Sequence, residues 1–195
     1  YRQLNIDRRG ELSFDTEVGQ TWYGGNRYAT YFRLQGQQSL ILEGNRRLRF
    51  GGNLERQWGQ ATPDIDTAGV SASITQAFSN GNSGYLNLSA RATQSDNANS
   101  EYSEVTLRTG LALRKPVMGA AVQFGIGYSW RDYGVSLNSR AGRQDNRLFA
   151  DVTATFKDVD YYGFNPTVTL SASRTDSNIA LYDLSRVGLN IGIRS

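Results

Sequence analysis

The sequence predicts an all-β protein: an antiparallel, up-and-down transmembrane β-barrel with about ten strands, complete in itself or part of a larger barrel. Apolar and polar residues alternate from about residue 11 to the end of the 195-residue chain. Aromatic residues recur near the ends of the alternating segments, and no window approaches the roughly 20 apolar residues of a membrane helix. Since side chains of a strand point alternately to two faces, each strand would carry one apolar face and one polar face.

Ten alternating segments are the predicted strands, which is the even number expected of a single-chain bacterial barrel. A lead-in segment over residues 1–10 would precede a barrel domain over residues 11–195. The predicted strands are 11–22, 27–42, 46–58, 67–79, 84–94, 102–115, 119–134, 147–157, 161–175 and 183–194.

The last strand shows the pattern without interruption. One face carries only aliphatic residues, Val187, Leu189, Ile191 and Ile193, and the other carries Arg186, Gly188, Asn190, Gly192 and Arg194. Such a strand suits a half-buried position in a soluble sheet, or a barrel with lipid outside and water inside.

The connections between these segments differ in length. Short turns are predicted at 43–45, 80–83, 116–118 and 158–160, and longer polar loops at 59–66, 95–101, 136–146 and 176–182. Short periplasmic turns and long extracellular loops are typical of outer-membrane barrels. We therefore expect a bacterial outer-membrane location with both termini in the periplasm.

Aromatic residues of the apolar face lie near both strand ends. Trp22, Trp58 and Trp130 are expected toward the long loops, and Phe78, Phe156 and Phe164 toward the short turns. Two aromatic belts are what the two interfaces of a bilayer select. A soluble sheet offers no comparable reason for aromatics at its rims.

The polar face is too charged for a dry core, because unpaired buried ions each cost several kcal/mol. A hydrated or ion-paired lumen would accommodate it. The candidate lumen-lining residues are Arg33, Arg47, Arg49, Arg91, Glu104, Arg108, Arg114, Asp151, Arg186 and Arg194.

Composition argues against enzymatic function. The chain has no His and no Cys, which removes the commonest general base and the commonest metal ligands. We expect no catalytic residue, no cofactor and no metal. The net charge of +3 comes from scattered arginines rather than a dense basic stripe, so nucleic-acid binding is not expected.

A series of segments toward the end of the chain resembles a known family. Gly127–Tyr133, Arg143–Arg147, Tyr161–Pro166 and Arg174–Asp183, followed by Arg186, occur in the order found in the C-terminal barrel of the surface lipoprotein assembly modifier family. The residues that carry the resemblance are Trp130, Arg131, Asp132, Tyr133, Phe164, Pro166, Asp176, Ser177, Asn178, Tyr182, Asp183 and Arg186.

In that family a periplasmic helical-repeat domain precedes an outer-membrane barrel that helps lipoproteins reach the cell surface. The resemblance implies a barrel that assists translocation or surface display of lipoproteins or other proteins. Expected partners are outer-membrane lipids and lipopolysaccharide, the barrel-assembly machinery and a lipoprotein client. The alternatives are a passive pore whose arginine-rich lumen favours anions, and a soluble β-sandwich or carbohydrate-binding module.

Local roles are expected for several of these motif residues. Pro166 would lie near a strand start, where its missing N–H costs least. Asp176 and Asn178 would hold a loop through bonds from side chain to backbone. Asp183 and Arg186 would form an ion pair at the rim of the last strand.

Overall fold

The computed structural model describes residues 2–6, 10–139, 141–159 and 164–194, and these form one antiparallel sheet of eleven strands. The all-β, up-and-down prediction is confirmed. The strands are β1 (Arg2–Ile6), β2 (Gly10–Tyr23), β3 (Asn26–Leu42), β4 (Arg46–Gly59), β5 (Ile65–Ala77), β6 (Ser83–Ser95), β7 (Tyr102–Ala112), β8 (Ala120–Tyr133), β9 (Arg143–Phe156), β10 (Asn165–Ser177) and β11 (Leu184–Arg194).

Each strand pairs with the next one in the chain, so the spatial order is the sequence order. Within the described residues no pairing joins β1 to β11, and the sheet is open there. Because neighbours are antiparallel, β1 and β11 run in the same direction. The two edges therefore could not close on each other by an antiparallel ladder.

The ten predicted strands correspond to β2–β11, with shifted bounds. β1 is an additional strand: it lies within the predicted lead-in segment and pairs with the start of β2, Leu4 opposite Leu12. β7 ends at Ala112, three residues earlier than expected, whereas β9 begins at Arg143, four residues earlier than expected. The additional strand was missed because five residues carry too little alternation to distinguish a strand from a loop.

Two hairpins show how sequence sets the turns. Gly24 and Gly25 join β2 to β3 with φ angles of 59° and 82°. Positive φ at both central residues defines the type I′ turn, whose twist matches that of the flanking strands. Gly44 and Asn45, with φ angles of 72° and 58°, turn the chain between β3 and β4.

The predicted difference in connection length is weak in the structure. β7 stops early and β10 begins only at Asn165, so two connections expected to be short are lengthened. Among the connections whose residues are all described, 43–45, 78–82 and 113–119 lie at one end of the sheet, and 24–25, 60–64, 96–101 and 178–183 lie at the other. Connection length alone therefore does not orient the sheet.

Burial is inverted relative to a soluble sheet. Large aliphatic side chains of one face are exposed, including Leu54 (58%), Val70 (65%) and Ile126 (49%). On the opposite face the side chains of Glu104 and Asp145 are only 13% and 7% exposed. We call these the apolar face and the polar face; the polar side chains shield one another, while the apolar ones contact little.

In the described part of the chain, helical structure is limited to two short 3-10 turns, Ala98–Ser100 and Ala180–Tyr182. The described part of the chain holds no helix with the length and hydropathy that a membrane span needs.

Candidate functional site

The strand register aligns polar residues into a row across the polar face. From β6 to β9, Arg91 lies opposite Glu104, Glu104 opposite Arg131, and Arg131 opposite Asp145. Directly opposed side chains on one face are close enough to interact. Opposite charges therefore alternate along the row.

Arg131 is held from several sides. Its Nε donates to Oε2 of Glu104 at 2.7 Å, and its guanidinium lies 4.4 Å from the ring centroid of Tyr102. Glu104 also accepts a hydrogen bond from Arg91 at 2.9 Å, so one carboxylate joins two arginines. Such charge-assisted bonds are stronger than bonds between neutral groups, and they also hold both side chains in a defined orientation.

Arg143 forms a second ion pair, next to that of Arg131. Its Nε donates to both carboxylate oxygens of Asp145, at 2.9 and 3.0 Å. The guanidinium stacks on Tyr133 and Tyr182, with ring centroids 4.2 and 3.7 Å away. Cation–π contact and bidentate pairing together favour arginine over lysine here. We call the joined group the carboxy-terminal cluster: Arg91, Tyr102, Glu104, Arg131, Tyr133, Arg143, Asp145 and Tyr182.

The end of β10 is tied to β9 beside this cluster. Asn178 accepts a hydrogen bond from the Gln144 backbone N–H at 2.9 Å and donates its own N–H to the Gln144 carbonyl at 3.0 Å. Asn178 therefore joins two strands rather than holding its own loop. Asp176 pairs with Arg174 at 2.9 Å on the exposed surface, so its expected bond to the backbone is replaced by an ion pair.

The expected ion pair between Asp183 and Arg186 is not formed among the described residues. Asp183 instead accepts a hydrogen bond from the Ser177 backbone N–H at 2.8 Å, which closes the connection between β10 and β11. The strand extends to Ser177, beyond the predicted start of the loop, and this places the Ser177 N–H within reach of Asp183.

A separate triad lies on β2–β4, which we call the amino-terminal cluster: Glu17, Arg33 and Glu55. Arg33 donates to Glu17 at 2.8 Å and to Glu55 at 2.7 Å. Tyr31 donates its hydroxyl to Glu17 at 2.8 Å. One arginine is thus placed between two carboxylates.

Glycines make room for the larger groups on the polar face. A Cβ on Gly127 would lie 2.4 Å from the ring of Phe149, and one on Gly125 would lie 2.8 Å from Arg108. Arg108 pairs with Asp151 at 2.5 Å across Gly125. The guanidinium of Arg147 lies over the ring of Phe149, 5.4 Å from the ring centroid.

The structure places the other lumen candidates as follows. Arg47, Arg49 and Arg186 lie on the polar face and are exposed. Arg194 ends β11, and its side chain lies outside the described residues. For Arg114 the predicted strand bound is wrong: β7 ends at Ala112, so Arg114 lies in the connection 113–119, with its side chain against Gly81.

The aromatic candidates lie near strand ends. Trp22, Trp58 and Trp130 are exposed toward the end that carries the connections 134–142 and 178–183. Phe78 and Phe164 are exposed toward the opposite end, where Phe156 is half-buried. Of the motif residues, Asp132 is exposed at the end of β8, and Pro166 is the second residue of β10, opposite Ile193. Residues 161–163 of the third motif segment lie outside the described residues.

The sequence did not predict the partners of Tyr102, Arg147 and Glu17. Their face follows from the alternation, but their partners follow only from the strand register. The motif residues Arg131, Tyr133, Tyr182 and Asp183, far apart in the chain, meet at one end of β8–β11. The arrangement is an ordered, ion-paired surface that can bind charged groups. Within the described residues no three potential metal-ligating acidic side chains gather.

Two comparisons with known proteins bear on this cluster. A search of curated proteins gave no significant match. A family model described as surface lipoprotein assembly modifier matches residues 7–191, which is nearly the whole chain and includes every strand that contributes to the carboxy-terminal cluster. The protein therefore belongs to the surface lipoprotein assembly modifier family.

Proposed function

We propose that this protein is an outer-membrane β-barrel domain that assists the translocation or surface display of lipoproteins. Family membership carries the lipoprotein part of the proposal, because it indicates a role in surface lipoprotein assembly. The inverted burial of the sheet supports the membrane part.

The apolar face is difficult to reconcile with an aqueous environment. Exposed aliphatic side chains continue along neighbouring strands, from Leu54 through Val70 and Leu88 to Leu107 and Ile126. Contiguous apolar surface of this extent marks an interaction site or a lipid-facing surface. Lipid contact removes it from water while the charged face stays hydrated.

The carboxy-terminal cluster is the proposed working surface. It lies on β6–β9 at the end of the sheet that carries the connections 134–142 and 178–183, and Asn178 and Asp183 fix the second of these to the sheet. Loops held by a rigid scaffold are common binding elements. In this proposal that end of the sheet faces the cell exterior and contacts the client without a catalytic step.

Ion pairing supports an assembly role more than an anion-favouring pore. Arg33, Arg91 and Arg108 are each paired with a carboxylate on the polar face. A paired charge contributes less to the field experienced by a passing anion than a free one does. The predicted arginine excess is therefore partly neutralised.

The direct test is to delete the gene and then to label the lipoproteins on the surface of intact cells. We expect surface labelling to fall while total lipoprotein is unchanged, and to return when the gene is restored. Unchanged display after deletion would contradict the proposed function. Bilayer conductance of the purified protein with a clear anion preference, together with unchanged display, would favour the pore.

A further inference from the structure

Once the ion pairs of the described residues are assigned, Arg147 and Arg186 are left unpaired beside the carboxy-terminal cluster, whereas the other unpaired arginines of the polar face, Arg47 and Arg49, lie on β4. We propose that Arg147 and Arg186 form a binding site for an acidic segment of an extended polypeptide, with the carboxylate held between the two guanidiniums. The inference rests on the proposed function, since it gives the chemistry of the client segment that the polar face would contact.

The strand register places the two arginines around a common space. Arg147 on β9 lies opposite Ser129 and Thr175, and Arg186 on β11 lies opposite Ser173. Only β10 separates them, and with an offset of two residues along the strands their backbones are about 12 Å apart. Arg147 leans over Phe149, which belongs to the same cross-strand row as Ser173 and Arg186. Both guanidiniums can therefore reach one ligand above β10.

The neighbouring arginines each form an ion pair with a carboxylate, whereas Arg147 and Arg186 form none with a described residue. Arg91, Arg108, Arg131 and Arg143 each have a carboxylate partner. Arg147 and Arg186 are exposed and form no ion pair with any described residue. An unpaired guanidinium presents a planar fork of donors that matches a carboxylate.

The two side chains line one cavity of about 380 Å³. Its other cations, Arg131 and Arg143, are held by its carboxylates Glu104 and Asp145. The third carboxylate of the lining, Asp183, accepts the Ser177 N–H and keeps its negative charge. Four arginines and three carboxylates line the cavity, so the net charge that a ligand meets is +1.

The remaining lining favours a peptide over an inorganic anion. The hydroxyl groups of Ser129, Ser173 and Thr175 can donate hydrogen bonds to a bound carboxylate. Leu181 and Leu184 border the same cavity and are exposed. An extended peptide in which acidic and apolar residues alternate would cover these leucines, whereas inorganic phosphate would leave them in water.

The test uses the full chain in detergent micelles and a fluorescent short peptide of alternating Glu and Leu, with Gln replacing Glu in the matched peptide. Fluorescence anisotropy should show that the Glu peptide binds and that the Gln peptide binds much more weakly. In the double variant R147Q/R186Q we expect binding of the Glu peptide to weaken about tenfold or more, as the loss of charge-assisted bonds predicts. The control variant Arg49→Gln, an exposed arginine on the polar face of β4, should bind as the parent does.

Three outcomes would overturn the inference: equal binding of the two peptides, unchanged binding in the double variant, or displacement of the peptide by inorganic phosphate at equal concentration. If the double variant does not fold, as judged by its β-sheet circular dichroism, Arg147→Lys and Arg186→Lys replace it. These keep the charge but lose the fork, and weakened binding in both would support the site. Lost peptide binding with intact lipoprotein display in cells would overturn the client role and leave the proposed function standing.

Discussion

The two ion-pair clusters of the polar face differ in net charge and in how far their side chains are buried. The amino-terminal cluster places one arginine, Arg33, between Glu17 and Glu55. The carboxy-terminal cluster joins three arginines to two carboxylates, Glu104 and Asp145. The first therefore has an excess of negative charge and the second an excess of positive charge, at two positions of one sheet.

Aromatic packing explains why the charged side chains of the carboxy-terminal cluster are more buried than those of the amino-terminal cluster. The guanidiniums of Arg131 and Arg143 stack on the rings of Tyr102, Tyr133 and Tyr182, which exclude water from the adjoining carboxylates. In the amino-terminal cluster Tyr31 is the only ring among the described residues that adjoins the Arg33 guanidinium, at 5.6 Å from the ring centroid. Ion pairs that are removed from water cost more to break than exposed ones. Stability and binding geometry should therefore depend more on the carboxy-terminal cluster.

The largest expected effect comes from Asp145→Ala. The change leaves the Arg143 guanidinium half-buried and without its carboxylate, and we expect a loss of about 3 kcal/mol in the free energy of unfolding. Urea unfolding in lipid vesicles, followed by tryptophan fluorescence, measures it.

The matched control for that variant is Asp176→Ala. Its pair with Arg174 is exposed, at 60% and 72% for the two side chains, so the loss should stay below about 0.5 kcal/mol. Equal losses in the two variants would show that the greater burial of the carboxy-terminal cluster does not increase its contribution to the free energy of unfolding.

A smaller effect is expected from Gly127→Ala. The new Cβ would meet the Phe149 ring and displace the support under Arg147, at a cost of about 1–2 kcal/mol. Gly134→Ala, where a Cβ would meet nothing within 4 Å, is the control and should be near neutral. Circular dichroism during urea unfolding reports both. A neutral Gly127→Ala would contradict the packing described here.

Apart from the two controls, the smallest effect is expected from Arg33→Gln. It leaves two half-exposed carboxylates facing each other, with an expected loss of about 1 kcal/mol at low salt. Because salt screens the repulsion, the loss should shrink as sodium chloride is added. Glu55→Gln in the same chain should restore most of the stability. A loss that is insensitive to salt would mean that repulsion is not its cause.

Alternation predicted the fold and the two faces, because side-chain direction in a strand depends only on parity. It could not fix strand ends: Arg114 has the parity of the polar face, yet β7 stops at Ala112. β1 was missed because Arg2–Ile6 is short and its identity as a strand depends on pairing with β2. Tertiary pairing overrides local pattern at such places.

The composition of the site was predicted less well than its location. The motif segments indicated the region, and the structure brings Arg131, Tyr133 and Tyr182 together there. Their partners depend on register, which sequence spacing does not give when connections such as 134–142 are long. The same ambiguity led to the wrong partner for Asp183, which bonds to Ser177 instead of Arg186.

The most direct test of the central claim measures which face contacts lipid. The chain has no cysteine, so single cysteines carrying spin labels can replace Val70, Ser71, Leu88 and Ser89 in vesicle-reconstituted protein. We expect labels at Val70 and Leu88, on the apolar face, to be accessible to oxygen dissolved in the bilayer. Labels at Ser71 and Ser89, on the polar face, should instead be accessible to a water-soluble nickel complex. Equal access of the nickel complex to all four positions would contradict it.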